Sequence, residues 1–190
     1  MPKTALVLLA NGTEELEFVT IANVLRRGEV EVTVAGVPDE RPTTGRSQIV
    51  ITPDTSIQEA ITKGPYDAIV LPGGLAGAQT FCKSEIVGVL LAKQQESGGI
   101  ISAICAAPTA FKAHSIGAGK RITSYPAMAD ELSKDGIYKY ESDSAVVVDG
   151  NFITSRGPGT ALQFSLTILD QLQGKEKAKQ VANGMLFEYN

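Results

Sequence analysis

Tryptophan is absent from this chain of 190 residues, and cysteine and histidine are scarce. The sequence holds two cysteines and one histidine. Cys82 and Cys105 lie far apart and lack the spacing of metal ligands, so we expect neither a disulfide framework nor a zinc site. His114 alone cannot supply a metal site, because such sites need several ligands. We therefore expect no bound metal.

Long apolar runs and clusters of basic residues are also missing. The first apolar run covers residues 5–10, far fewer than the roughly 20 residues that span a bilayer, and no small-residue cleavage site follows it. Seventeen basic and twenty-one acidic side chains give a formal net charge of -4, and no Lys/Arg cluster could neutralise a run of phosphates. We expect a cytoplasmic protein with free thiols, no membrane span, no export signal and no direct nucleic-acid binding.

The pattern of the chain predicts an α/β fold. A length of 190 residues suits one domain, which we expect to cover residues 1–190. Short apolar runs alternate with segments of helical period, which predicts a mostly parallel sheet with helices on both faces. The predicted buried strands are residues 5–9, 30–35, 48–52, 67–71, 100–104 and 152–154. The predicted helices are residues 14–27, 84–96, 106–115, 160–172 and 175–183. Residues 139–140 and 145–148 predict an antiparallel excursion at a sheet edge, and 36–45 a surface loop.

Cys105 lies between the predicted strand 100–104 and a predicted helix. Ala103 and Ala107 flank it, and small residues are needed there when a nucleophile occupies a tight strand-to-helix turn, or nucleophile elbow. The N-terminus of the following helix is expected to favour the thiolate and lower the thiol pKa. The pattern predicts a reactive cysteine. The alternative is a buried, inert core cysteine, because free cysteines are often buried.

Two further segments follow predicted strands, at the sheet edge where ligands collect in such folds. Gly73 and Gly74 open a loop whose backbone N–H groups could form an oxyanion hole beside Cys105, although an isolated Pro-Gly-Gly is more often a plain turn. Glu17 lies one turn into the first predicted helix, near apolar residues, where a carboxylate needs a partner or a proton. If Glu17 meets Cys105, it becomes a candidate acid or base.

His114 and Cys82 have simpler interpretations. His114 lies about three turns beyond Cys105 on the following helix, so we interpret it as a helix C-terminal cap rather than a base. No tight turn surrounds Cys82, and we interpret it as an incidental thiol.

Four segments of the chain resemble the ThiJ/PfpI superfamily and, within it, the DJ-one branch. They are residues 8–17, 70–74, 103–109 and 154–160, which read LLANGTEELE, VLPGG, AICAAPT and TSRGPGT. The resemblance covers essentially the whole chain. It implies a flavodoxin-like fold, no cofactor and a homodimer, and we expect part of the apolar stripe of the first helix, Phe18, Ile21 and Leu25, to face the partner.

The resemblance also implies roles for individual positions. Cys105 matches the family's oxidation-sensitive nucleophile, and Glu17 matches its protonated glutamate, hydrogen-bonded to the sulfur. Backbone N–H groups at the pocket are implied for Gly73, Gly74 and Ala106. The pocket-lining residues that it implies are Tyr125, Arg156 and Pro158.

The implied functions are protection against oxidative stress, glyoxalase and deglycase activity on methylglyoxal and its adducts on proteins or nucleotides, and chaperone activity. The implied compartments are the cytoplasm and also the nucleus and mitochondria. Peptidase-like members place a histidine directly after the nucleophile, where this chain has Ala106, so we expect no peptidase activity. Close relatives often carry a histidine where this chain has Tyr125. Arg46 is one position out of register, and Thr52 stands where a cysteine often does.

Two functions remain open at this point. In the first, the Cys105 thiolate attacks the aldehyde carbon of a small dicarbonyl or a glycated adduct, and Glu17 moves the protons needed to form a hydroxy acid. In the second, the protein is a redox sensor or redox-regulated chaperone, and peroxide oxidises Cys105 to sulfenate and then sulfinate. The same thiol serves both functions.

Overall fold

The computed structural model describes residues 1–189. The strands are β1 (Thr4–Ala10), β2 (Glu31–Val37), β3 (Thr43–Thr44), β4 (Val50–Ile51), β5 (Thr55–Ser56), β6 (Ala68–Leu71), β7 (Ile100–Ile104), β8 (Arg121–Ile122), β9 (Lys139–Tyr140), β10 (Val146–Asp149) and β11 (Phe152–Ser155). The α-helices are α1 (Glu15–Arg27), α2 (Ile57–Ala60), α3 (Leu75–Lys83), α4 (Glu85–Ser97), α5 (Thr109–Ala113), α6 (Ala129–Ser133), α7 (Ala161–Gln173) and α8 (Lys175–Gly184). Short 3-10 turns cover Pro126–Met128 and Pro158–Thr160.

Seven strands form the main sheet, in the order β10-β11-β7-β6-β1-β2-β5. All neighbouring pairs are parallel except β10 and β11, which form an antiparallel edge. Each face of the sheet carries its own buried apolar cluster, one with side chains of α2 to α5 and the other with side chains of α1, α7 and α8. The predicted α/β fold with a mostly parallel, doubly covered sheet is confirmed.

The central strand β1 explains why the buried strands are continuous apolar runs. Every residue from Ala5 to Ala10 has no exposed surface. Leu6 and Leu8 belong to the cluster on one face, and Val7 and Leu9 to the cluster on the other. Because successive side chains point to opposite faces, a strand covered on both sides needs apolar residues at every position.

Three of the predicted secondary-structure elements are wrong. Residues 48–52 contribute only the two-residue β4, which pairs with β3 in a separate antiparallel hairpin, and Ile49 and Val50 are more than half exposed. The predicted helix 106–115 shortens to α5, because residues 105–108 form a turn. Residues 139–140 form β9, which pairs with β8 in parallel rather than antiparallel. Helix α3 was not predicted, since its first turn consists largely of the small residues Ala76, Gly77 and Ala78.

The apolar stripe of α1 faces the interior. Phe18, Ile21 and Leu25 are buried in the cluster shared with α7, so the expectation that part of this stripe faces a partner is wrong. The exposed apolar residues of α1 are Leu16 and Val19 on the other side of the helix.

Among the described residues, no single helix is long and apolar enough to cross a membrane, although α3 and α4 together, bent by 80°, satisfy the length and composition criteria.

Candidate active site

The carboxyl ends of β1, β6 and β7 are neighbours in the sheet, so the loops that follow them meet at one edge. The loop after β1 leads into α1 and carries Glu17, the loop after β6 carries Gly73 and Gly74, and Cys105 directly follows β7. The structure therefore brings together the three segments that the sequence analysis singled out, as expected for parallel strands.

Cys105 occupies a strained strand-to-helix turn. Its φ angle is +63°, in the left-handed region, which costs a residue other than glycine about 1–3 kcal/mol. Its backbone N–H donates to the Ser155 carbonyl at 3.0 Å, and its carbonyl accepts from the Tyr125 N–H at 2.8 Å. These two bonds hold the conformation and leave the half-buried side chain at the sheet edge. The predicted nucleophile elbow is confirmed in its geometry.

The helix that was expected to favour the thiolate is shorter and begins later than predicted. Helix α5 has only five residues and begins four positions after Cys105. The nine-residue α3 begins directly after Gly74, and the backbone N–H groups of Gly74 and Ala106 act on the thiol and lower its pKa. The donors expected at Gly74 and Ala106 are present: Gly74 is the N-cap residue of α3, and Ala106 directly follows Cys105.

Glu17 lies on α1 with no exposed surface. Its Oε2 accepts a hydrogen bond from the Gly73 N–H at 2.8 Å, so the Gly73 donor serves Glu17 and not the pocket. Its Oε1 is buried without a hydrogen-bond partner among residues 1–189. Burial raises the pKa of Glu17 to about 7, against the lowering effects of Gly73 and Cys105. A carboxyl with this pKa is about half protonated near pH 7 and mostly protonated below it.

The thiol pKa is shifted in the opposite direction to the one predicted. Burial raises the pKa of Cys105 to about 12, with the negative charge of Glu17 as the next cause. The expected lowering of the thiol pKa is therefore wrong, because burial disfavours the thiolate and an ionised Glu17 disfavours it further. Because the two groups are coupled, their protons are lost as a pair, and the N–H groups of Gly74 and Ala106 are the contacts that favour a negative charge at the sulfur.

Comparison with known proteins agrees with this geometry. The DJ-1/PfpI family profile matches residues 3–171. The chain belongs to the DJ-1/PfpI family. Protein DJ-1alpha of Drosophila melanogaster is 54% identical over 98% of this chain and 85% of its own length. The crystal structure of Drosophila melanogaster DJ-1beta matches with a TM-score of 0.96 at 48% identity, over 100% of both chains. The glutathione-independent glyoxalase DJR-1.2 of Caenorhabditis elegans is 39% identical over 94% of both chains.

The arginine that the sequence analysis found one position out of register lies near the site. Arg46 lies in the β3–β4 hairpin, and its Nη1 is 3.0 Å from Oε2 of Glu14 at the start of α1. The Glu14 carboxylate raises the pKa of Arg46, and Cys105 contributes in the same direction. The position of Arg46 depends on the docking of the hairpin on α1, where the Ser47 and Ile49 N–H groups donate to Oε1 of Glu15.

The three predicted pocket-lining residues of this family member differ in how firmly they are placed. The Tyr125 N–H donates to the Cys105 carbonyl, and the Tyr125 side chain is 46% exposed. The Tyr125 ring lies beside Gly157, since a Cβ added to Gly157 would be 3.5 Å from Cδ2 of Tyr125. Arg156 and Pro158 follow Ser155, the acceptor for the Cys105 N–H, and both are half-buried. Tyr125 thus lies beside the elbow, and the lining role of all three residues stays a prediction.

His114 and Cys82 lie outside the thiol site. His114 is the C-terminal cap residue of α5, as predicted, and its Nε2 is 2.8 Å from the Phe81 carbonyl oxygen. Cys82 lies in the last turn of α3, half-buried, with its sulfur 3.4 Å from Oγ1 of Thr109.

Proposed function

We propose that this protein protects against oxidative stress as a cofactor-independent glyoxalase and deglycase, acting on methylglyoxal and on its adducts with proteins or nucleotides. Its nucleophile is Cys105 and its proton carrier is Glu17. The observation that carries the proposal is the strained Cys105 turn beside a fully buried carboxyl, Glu17, whose pKa is raised to about 7. The Caenorhabditis elegans relative named as a glutathione-independent glyoxalase supports it.

The reaction begins at the aldehyde carbon of the dicarbonyl. The Cys105 thiolate forms a C–S bond to that carbon, and the carbonyl electron pair moves to oxygen, which takes the proton of Glu17 to give a hemithioacetal. The Glu17 carboxylate then removes the proton from the former aldehyde carbon, which gives an enediol, and returns it to the neighbouring carbon. The hydroxyl proton of the hemithioacetal passes to the oxygen on that neighbouring carbon, so the product is the thioester of a hydroxy acid. Water cleaves the C–S bond, releasing the hydroxy acid and the thiol, so the net change is addition of one water.

The site suits these steps in two respects. A proton carrier works best when its pKa lies near the working pH, and burial places the pKa of Glu17 at about 7. The backbone N–H groups of Gly74 and Ala106 act at the sulfur and could also stabilise the oxyanion that forms on the adjacent carbon.

The test is steady-state turnover of methylglyoxal by the purified protein. We expect turnover to be abolished in Cys105→Ser and reduced at least about a hundredfold in Glu17→Gln, the usual contribution of one general acid–base group. Glu96→Gln on the exposed side of α4 is the matched control for removal of a carboxylate. Turnover that persists in Cys105→Ser would overturn the proposal.

A second candidate function is a redox sensor or redox-regulated chaperone that acts through oxidation of Cys105 to sulfinate. It is supported by the half-buried position of Cys105, which admits a small oxidant, and by the N–H donors that could hold sulfinate oxygens. Limiting peroxide followed by peptide mass spectrometry tests it. Negligible methylglyoxal turnover together with rapid oxidation of Cys105 favours the sensor.

We also propose that the protein is a homodimer. The supporting observation is a set of exposed apolar side chains near the start of α1, on the β3–β4 hairpin and at the start of α3, and this exposed face consists of Leu16, Val19, Ile49, Val50 and Leu75. The hairpin lies beside the first turn of α1, where the Ile49 N–H donates to Oε1 of Glu15, and exposed apolar patches are typical of interfaces. We place the protein in the cytoplasm and, by the family resemblance, also in the nucleus and mitochondria. The two free cysteines support a reducing compartment.

A further inference from the structure

Thr109, the first residue of α5, connects the Cys105 turn to the end of α3. Its side chain is buried, and its Oγ1 donates to the Ala106 carbonyl at 2.7 Å. The same Oγ1 lies 3.4 Å from the sulfur of Cys82. Neither residue belongs to the proton-transfer chemistry proposed above, yet both lie within one short hydrogen-bonded chain that ends at Ala106.

The donor and the acceptor in each of these hydrogen bonds can be assigned by counting hydrogens. A threonine hydroxyl has one hydrogen to donate, and the 2.7 Å bond to the Ala106 carbonyl takes it. The Cys82 thiol must therefore be the donor to Thr109 Oγ1. Burial raises the pKa of Cys82 and keeps it protonated, as a donor requires. A hydroxyl that accepts one hydrogen bond donates a stronger one, so Cys82 strengthens the bond to Ala106.

Ala106 connects these hydrogen bonds to the Cys105 thiol. Its N–H acts on the Cys105 sulfur, while its carbonyl is held by Oγ1 of Thr109 and also by the Thr109 N–H at 3.2 Å. On the other side, the backbone of Cys105 is held by Ser155 and Tyr125. Because the Cys105 φ angle is strained, it persists only while its surroundings fix it.

We propose that Thr109 is a positioning residue for the Cys105 thiol, acting through Ala106, and that Cys82 supports it by donating a hydrogen bond to the Thr109 hydroxyl. The inference rests on the proposed role of Cys105 as the reactive group. It gives Cys82 a function that the interpretation as an incidental thiol did not.

The decisive measurement is the rate at which iodoacetamide modifies Cys105, resolved from Cys82 by peptide mass spectrometry. We expect Thr109→Val to slow this rate about fivefold, the factor that corresponds to the loss of one neutral hydrogen bond, through a rise of about 0.7 unit in the thiol pKa. Thr109→Ser keeps the hydroxyl and should restore the wild-type rate. Cys82→Ala should produce a smaller effect in the same direction, and Cys82→Ser, which keeps a donor, should reverse it.

Thr62→Val is the matched control, since Thr62 Oγ1 makes the same hydroxyl-to-carbonyl bond three residues back, to Glu59 at 2.8 Å, at an exposed position outside the site. Circular dichroism melts identify variants that lose the fold. A folded Thr109→Val protein with the wild-type Cys105 rate and pKa would overturn the proposal. Because the readout is thiol reactivity and not turnover, this result is distinct from a failure to convert methylglyoxal.

Discussion

The backbone N–H of Gly73 donates to Oε2 of Glu17 at 2.8 Å, which ties the loop after β6 to the first turn of α1. This bond leaves Oε1 as the buried oxygen without a partner among residues 1–189. An unpartnered buried acceptor is costly, whereas a protonated Oε1 becomes a donor. The hydrogen bond from Gly73 to Oε2 therefore favours protonation of Glu17 on Oε1, the oxygen that does not contact the loop.

Glu17→Ala should raise the pKa of Cys105 when the native pair holds its proton on Glu17. The variant removes a neutral O–H group that can donate to the thiolate, a loss of about one pKa unit for a hydrogen bond of ~1.5 kcal/mol. Glu17→Asp should give an intermediate value, because its shorter side chain lengthens the contact. The measurement is thiolate ultraviolet absorbance against pH, with Cys105→Ser as the blank.

The opposite result is equally informative. An ionised Glu17 raises the pKa of Cys105 through its charge, so its removal would then lower that pKa. A lower Cys105 pKa in Glu17→Ala would show that the carboxyl is ionised in the native protein and would exclude it as the proton donor. Glu96→Ala, exposed on α4, controls for removal of a surface carboxylate.

The protein should lose stability between about pH 4.5 and pH 7 because of Glu17. Burial raises the pKa of Glu17 from 4.5 to about 7 in the folded state, so the folded protein binds this proton more tightly than the unfolded chain. The resulting stability is present below pH 4.5 and is lost as the pH rises through 7, by on the order of 3 kcal/mol.

Urea unfolding at pH 5 and pH 8 measures this effect. The comparison is best made between Cys105→Ala and Cys105→Ala combined with Glu17→Gln, since removal of the thiol leaves Glu17 to titrate alone. We expect the first protein to lose more stability than the second as the pH rises. Equal losses in both proteins would contradict the raised pKa of Glu17.

The strands of the main sheet were predictable wherever burial on both faces imposes a continuous apolar run, as in β1 and β7. The same signal failed at residues 48–52, because Ile49 and Val50 are apolar but lie on an exposed hairpin. An apolar run favours a buried strand, but the run alone does not show whether the segment lies in the main sheet or on an exposed hairpin. Helix α3 was missed because its first turn is made largely of the small residues Ala76, Gly77 and Ala78, which give a weak helical signal.

The candidate site was predictable to the extent that it follows from strand order. Cys105, Gly74 and Glu17 each follow a strand that ends at the same edge, so their proximity could be derived from the sequence. The sign of the thiol pKa shift could not, because it depends on how deeply Glu17 is buried and how close it lies to the sulfur. The place of Arg46 beside Glu14 likewise depends on the hairpin docking on α1.

Gly73→Ala should disrupt the site even though alanine is a small residue. A Cβ at this position would lie 2.4 Å from the Cys105 Cβ and 2.6 Å from Glu17 Oε2, closer than atoms can approach. Relief of this overlap must displace either the loop or the Cys105 turn, and overpacking of this kind costs about 1–3 kcal/mol. We expect a lower melting temperature and slower alkylation of Cys105.

Gly184→Ala is the control for that substitution, because Gly184 lies at the end of α8 with no atom within 4 Å of its added Cβ. We expect its stability and thiol reactivity to match the wild type. If Gly73→Ala behaved in the same way as Gly184→Ala, the close packing of Gly73 against Cys105 and Glu17 would be refuted.

Val19→Glu should convert the proposed homodimer to a monomer. Val19 is 52% exposed on α1, beside Leu16 on the exposed apolar face defined above. A charge placed in an apolar interface loses its hydration without gaining a partner. Because the contact in a homodimer is symmetric, each protomer would bury one such carboxylate, and the free energy of association would carry this desolvation cost twice. Val89→Glu is the matched control, since Val89 is 51% exposed but lies on α4, outside that face. Sedimentation at micromolar concentration should show a dimer for the wild type and Val89→Glu and a monomer for Val19→Glu. A monomeric wild type would refute the homodimer, and a dimeric Val19→Glu protein would show that the contact uses another surface.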